Sequence, residues 1–154
     1  MHLLVITLLI GIVAGLRAGM PLAAVSWAAR LGLLPLGNTP LAFLGYLATP
    51  YIFSVLELFE LYIDKRPNTP SRLNPGGFIA RIVTGAFAGA AIGLGTGSWL
   101  LGMLFGGVGA VLGTLGGAAA RVKLAKAFGK DLPAALIEDA AAVIGSYLIV
   151  THIL

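Results

Sequence analysis

The chain has 154 residues, of which 58% are hydrophobic and only 10% are charged, and its mean hydropathy is +0.99. A soluble domain carries about a quarter charged residues, so these charges are too few to cover the surface of a globule in water. The composition therefore indicates an integral membrane protein whose partner is the lipid bilayer. Because cysteine is absent, disulfides, thiolate catalysis and cysteine-ligated metals are excluded.

Apolar segments succeed one another along the chain and predict an all-α fold, a polytopic transmembrane helix bundle of about five spans. A span needs about 20 apolar residues, and a single domain of residues 1–154 has room for five, or six if one is short. The predicted spans are 3–34, 41–63, 78–95, 99–120 and 132–154. Residues 3–13 lack a preceding basic stretch and a clear cleavage site, so we expect a retained helix rather than a signal peptide.

The first segment is interrupted at residues 15–21 (GLRAGMP), where two glycines and a proline surround an arginine. These residues weaken helices and predict a break. Three arrangements remain open for residues 3–34: one long broken helix that crosses once, two short helices that cross twice, or a re-entrant segment.

The basic residues predict the orientation. They cluster in the loops 64–77 and 121–131, which two spans separate, so both loops fall on one side of the membrane. The positive-inside rule makes that side cytoplasmic, in a cell membrane, and removes the need for a nucleic-acid partner to explain the net charge of +4. The C-terminus is then outside. The N-terminus is inside if residues 3–34 cross once, and outside if they cross twice. Residues 121–131 are expected to lie along the membrane surface.

Glycines recur every three or four residues in two consecutive spans. Small residues on one face let helix backbones approach closely in lipid, where van der Waals contact drives association. The two helices are predicted to form a tight hairpin, or to use a glycine face in a homo-oligomer. The candidate faces are Gly85, Gly89 and Gly93 on one helix, and Gly102, Gly106 and Gly113 on the next.

Charged residues inside the predicted spans fall in one layer, the cytoplasmic third of the bilayer. Glu57 and Glu60 share a helical face with Asp64, because their spacing is i, i+3 and i+7. Ionised groups in a membrane face the bundle interior, so these acids should meet the other charges of the layer. The remaining members are Arg81, the natural partner of Glu57, Glu60 or Glu138, and the acids Glu138 and Asp139.

Carboxylates outnumber cations in this layer, which favours a polar site for a cation, a proton or an amine-bearing solute. The alternative is a structural salt-bridge network that fixes helix register. Arg17 lies deep in the membrane if residues 3–34 cross once, and joins the charged layer if they cross twice. It is a further binding candidate, or a guanidinium bonded to exposed carbonyl groups at the break.

The polar loop after the second predicted span could hold a phosphate or a lipid headgroup. Its candidate residues are Asp64, Lys65, Arg66, Ser71 and Arg72. Positive-inside anchoring explains the same cations. His2 and His152 lie at opposite ends of the chain, and no catalytic sequence motif is present, so no catalytic residue, metal site or cofactor is expected.

Four short motifs occur in order: Gly15-Leu16-Arg17-Ala18, Leu56-Glu57 with Asp64-Lys65 and Pro67, Ile79-Ala80-Arg81, and Leu136-Ile137-Glu138-Asp139. In these motifs the chain resembles a bacterial integral membrane family, domain of unknown function 4126. The resemblance covers most of the chain, with shorter connections around Thr96 and Arg121. It implies no activity. It implies that the family's polar positions are Arg17, Glu57, Asp64, Lys65, Arg81, Glu138 and Asp139.

Together these patterns predict a small transporter or channel that is not an enzyme. Its polar site would contain Glu57, Glu60, Arg81, Glu138 and Asp139, because broken helices and buried acids typically form such sites. Two other functions remain open. One is a membrane scaffold or assembly factor that transports nothing, and the other is a protein that binds or modifies lipid headgroups through the loop 64–72.

Overall fold

The computed structural model describes residues 2–64 and 74–153, and within these ranges the chain is helical, without strands. The described residues form six α-helices: α1 (His2–Leu16), α2 (Met20–Arg30), α3 (Ala48–Asp64), α4 (Pro75–Gly95), α5 (Trp99–Phe128) and α6 (Asp131–Leu148). A 3-10 turn at Ala42–Gly45 precedes α3, and a π-helical turn at Ile149–Ile153 follows α6. The predicted all-α class and the predicted break in the first segment are confirmed.

Three helices of the described chain are long and apolar enough to cross a membrane: Pro75–Gly95, Trp99–Phe128 and Asp131–Thr151. At 1.5 Å per residue α4 is about 31 Å long, which matches a hydrocarbon core of about 30 Å. Helix α3 exposes large apolar side chains over much of its surface, among them Ile52, Val55 and Leu58. Since water does not tolerate so large an apolar surface on a monomer, the protein is embedded in a membrane.

Helices α1, α4 and α5 pack through glycines. A Cβ built on Gly89 of α4 would lie 2.9 Å from the carbonyl carbon of Gly102, and one on Gly85 would lie 2.8 Å from the carbonyl oxygen of Gly106. The pairing 85–106 and 89–102 makes α4 and α5 an antiparallel hairpin. The hairpin closes at a turn where Gly97 has a φ of +82°, a conformation that favours glycine.

Helix α1 runs parallel to α5 and packs on a second glycine face. A Cβ on Gly11 would lie 2.9 Å from the Cα of Gly109, and one on Gly15 would lie 2.5 Å from the carbonyl carbon of Gly113. Gly113 therefore faces α1 rather than α4. All these contacts lie within one chain, and a homo-oligomer through a glycine face stays a prediction.

Helix α2 reverses the direction of α1. The chain after α2 reaches the far end of α4, where a Cβ on Gly95 would lie 2.9 Å from the Cδ1 of Leu34 and 3.3 Å from the Cδ of Pro35. Of the arrangements open for residues 3–34, the structure contains two antiparallel helices. Arg17 therefore lies at the end of the bundle that also holds the start of α4 and the end of α5.

Two helix boundaries differ from the apolar segments read from the sequence. Helix α3 begins at Ala48 rather than Leu41, because Pro50 lacks an N–H and its ring fits only the first turn of a helix. Helix α5 continues to Phe128, so residues 121–128 are not a separate surface segment. Lysine, arginine, leucine and alanine propagate this helix until Gly129 ends it with a φ of +69°.

Candidate functional site

The break between α1 and α2 is the centre of the charged layer. Residues 17–19 connect the two helices, and Pro21 occupies the first turn of α2. In an uninterrupted helix the ring of Pro21 would meet the carbonyl of Arg17, so the chain turns where it does. The turn leaves backbone amides of α2 without partners inside the helix.

Glu60, from α3, accepts hydrogen bonds from two of the amides at this break. The N–H of Ala18 donates to Oε1 at 3.1 Å, and the N–H of Gly19 donates to Oε2 at 2.8 Å. A carboxylate is favourable here because a helix N-terminus carries partial positive charge. Glu60 therefore ties α3 to the break and is not a charge that extends to the membrane surface.

Arg17 is fully buried, and its Nη2 donates to Oδ1 of Asp139 on α6. The guanidinium and the carboxylate form an ion pair that links the break to the last helix. Arg17 joins the acids because α2 reverses the direction of α1.

Glu57 lies beside Glu60 at the same break. The Oε2 atoms of the two acids lie 2.5 Å and 3.0 Å from the point that a Cβ on Gly19 would occupy. Glu57 is 4% exposed, and no N–H or hydroxyl group of residues 2–64 and 74–153 donates to either of its carboxyl oxygens. Its charged neighbours in that part of the chain are Glu60, Arg17 and Asp139.

Three carboxyl groups thus surround one guanidinium, with Glu57 as the acid that receives no donor. A buried carboxylate is costly without hydrogen bonds or a counter-ion. The cluster can lower that cost by holding a proton between Glu57 and Glu60 or by binding a further cation. Among the described side chains, no group of three histidines, cysteines or acids is placed to hold a metal ion.

Glu138 belongs to a second cluster, at the α5–α6 corner. Arg121 donates from Nη1 to Glu138 Oε2 at 3.4 Å, and from Nε and Nη2 to the two carboxyl oxygens of Asp131 at 3.0 Å and 2.8 Å. Sequence reasoning missed Arg121 as a member of the layer because it ended the helix one residue earlier. The signal was present: Gly113, Gly117 and Arg121 follow one another at intervals of four, which places Arg121 on the inward stripe of α5.

Arg81 lies in the first third of α4 and is buried, with Nη1 donating to the carbonyl of Gly77 at 3.4 Å. Its pairing with Glu57, Glu60 or Glu138 stays a prediction. The loop candidates Lys65, Arg66, Ser71 and Arg72 lie outside the described residues, as does the side chain of Asp64. The headgroup site predicted there therefore stays a prediction as well.

The fold and these contacts define a class: a membrane-embedded helical protein with buried arginine–carboxylate pairs at one end of its bundle. The family model described as domain of unknown function 4126 matches residues 4–153, and the chain belongs to this family. The resemblance seen in the sequence motifs is thereby confirmed. No curated protein and no solved structure matches the chain.

Proposed function

We propose that the protein is a small membrane transporter whose transported or coupling cation binds at the carboxyl of Glu57. The observation that carries this proposal is the environment of Glu57: nearly full burial, no hydrogen-bond donor in the described chain, and two further acids against one arginine. Intramembrane acids are costly and are found where ions and protons pass. The break between α1 and α2 supports the same function, because interrupted helices form the binding sites of many transporters.

The individual roles follow from the contacts. Glu60 and the Arg17–Asp139 pair are engaged with the chain itself, so they hold the site in shape. Glu57 is the group that exchanges the cation or proton. Arg121, with Asp131 and Glu138, stabilises the neighbouring α5–α6 corner and takes no part in the cation site.

The orientation is part of the proposal. Positive-inside asymmetry places the charged layer on the cytoplasmic side of a bacterial inner membrane, because both basic segments of the sequence adjoin this end of the bundle. The opposite end, around Thr96 and Asn38, then faces outward.

A membrane scaffold that transports nothing is the second candidate function, and one observation favours it. Glu60 and Asp139 both have partners within the chain, as they would in a network that only fixes helix positions. The two functions differ in what they require of Glu57. A scaffold needs no exchange at that carboxyl, and a transporter does.

The test is proton and cation flux into proteoliposomes that contain the purified protein. We expect wild-type flux of protons, monovalent cations or small amines that Glu57→Gln abolishes. Asp131→Asn is the matched control, since it makes the same carboxyl-to-amide change at an exposed acid. Each variant is first compared with the wild type for monodispersity and thermal stability. Absence of wild-type flux across the panel, with Glu57→Gln altering stability alone, would favour the scaffold.

A further inference from the structure

An apolar groove leads along α2 to Glu57. Helix α2 forms its floor, α3 one wall, and α6 with its π-helical end the other, and the groove encloses about 450 Å³. The volume lies within the range of about 300–1,000 Å³ usual for small-molecule sites. The groove has room because the side chains of Ala23 and Ala24, in the middle of α2, are small.

Two buried polar groups of the groove have no hydrogen-bond partner among the described residues. One is the carboxyl of Glu57 at one end, and the other is the hydroxyl of Ser146, which is 6% exposed, on the facing wall. The remaining lining is dominated by carbon. Such a site is complementary to a molecule with a long apolar part and one positively charged hydrogen-bond donor.

An aromatic side chain on the floor is fixed in place. The Trp27 Nε1 donates to Oγ of Ser54 at 3.0 Å, and its ring packs edge-on against Tyr51 with 5.2 Å between ring centroids. Trp27 also lines the groove. A rigid indole offers apolar contact area and an electron-rich face, and both favour an organic cation.

The groove is reached from the bilayer. Leu58 on the α3 wall and Tyr147 on the α6 wall are both largely exposed on the outer surface of the bundle, where lipid is the solvent. An uncharged acyl chain would fill the apolar part but would leave the carboxyl of Glu57 without a hydrogen-bond donor. The carboxyl therefore favours a ligand that carries its own positive charge into the groove.

We propose that the groove between α2, α3 and α6 binds an amphipathic organic amine, with its apolar body on Trp27 and its ammonium group at Glu57. This proposal rests on the proposed function, because it names the class of cation that the Glu57 site takes. The ammonium donates to the carboxyl of Glu57, which gives that group the hydrogen-bond donor it lacks.

Binding is measured in lipid nanodiscs with Trp99→Phe protein, which leaves Trp27 as the single tryptophan of the sequence. The probes are n-decylamine and n-decanol, which share a chain and differ in charge. We expect a saturable change of Trp27 fluorescence with decylamine, at least tenfold tighter than with decanol. Glu57→Gln should weaken decylamine at least tenfold, about 1.4 kcal/mol, and leave decanol unchanged.

A second variant tests the groove separately from the charge. Ala24→Leu fills the floor and should weaken both probes, while Asp131→Asn should weaken neither. Equal binding of the two probes, unaffected by Glu57→Gln, would overturn the proposal and identify the groove as a site for lipid chains. Decylamine binding without flux would leave this proposal standing and remove the transport function. Flux of protons or inorganic cations without decylamine binding would overturn the amine proposal and leave the transport function standing.

Discussion

The contact between Gly89 and Gly102 predicts that Gly89→Ala lowers the free energy of unfolding by a measurable amount. A Cβ on Gly89 would lie 2.9 Å from the carbonyl carbon of Gly102 and 3.0 Å from the Cα of Gly106, with the Gly102 carbonyl oxygen closer still. Carbon atoms attract best at about 3.5–4.0 Å, so Gly89→Ala forces α4 and α5 apart by roughly 0.5–1 Å at this point. A gap of that size forfeits about a quarter to a half of the dispersion attraction between the facing atoms.

Overpacking of this kind costs about 1–3 kcal/mol. Alanine also gains about 1 kcal/mol over glycine in a helix interior, so the substitution needs a control for propensity. Gly116→Ala in α5 is that control, because no atom lies within 4 Å of a Cβ built at this exposed position.

The assay is reversible unfolding in mixed micelles by titration with sodium dodecyl sulfate. Gly116→Ala should equal or exceed the wild type in free energy of unfolding. Gly89→Ala should lie about 1–3 kcal/mol below Gly116→Ala. Equal stability of the two variants would refute the account of the hairpin as a backbone-to-backbone contact that requires glycine.

Two further predictions concern the charged layer. Asp139→Asn removes the charge of the carboxylate to which the buried Arg17 donates and should cost about 3–5 kcal/mol of unfolding free energy. The double change Arg17→Gln/Asp139→Asn should cost less than the sum of the single changes, and additive costs in the same unfolding assay would contradict the ion pair. Glu60→Gln removes the negative charge from the start of α2 and should lower the free energy of unfolding by about 1–2 kcal/mol. The backbone amides of residues 18–20 should then exchange their hydrogens faster. Unchanged exchange at these amides would show that Glu60 does not hold the break.

The membrane class and the charged layer could be predicted from the sequence because they depend on local pattern. Composition alone requires lipid, and the spacing of Glu57 and Glu60 alone places them on one helical face. The direction of α2 could not be predicted, since a segment that crosses once has the same hydropathy as one that turns back. The two arrangements differ in their contacts with distant residues. Ala18 contacts Glu60, 42 residues away, and Arg17 contacts Asp139, 122 residues away.

The ion pairs that the charged residues form could not be predicted from local sequence pattern either. From the sequence, Arg81 is the natural partner of the acids, because it is a cation inside a predicted span at their depth. The structure adds Arg17 through the reversal of the chain, and Arg121 through the continuation of α5. The start of α3, by contrast, can be predicted from the sequence, because Pro50 indicates a first helical turn near residue 48. The apolar residues from 41 onward instead suggest an earlier start.

We propose that residues 3–34 enter the membrane and return to the side from which they came, which brings Arg17 to the acids. The sequence contains no cysteine, so single cysteines placed at His2, Asn38, Thr96 and Lys123 can each be labelled with a membrane-impermeant maleimide in right-side-out and inverted vesicles. We expect labelling of His2→Cys, Asn38→Cys and Thr96→Cys from the outside, and of Lys123→Cys from the inside. Labelling of His2→Cys and Asn38→Cys from opposite sides would contradict it.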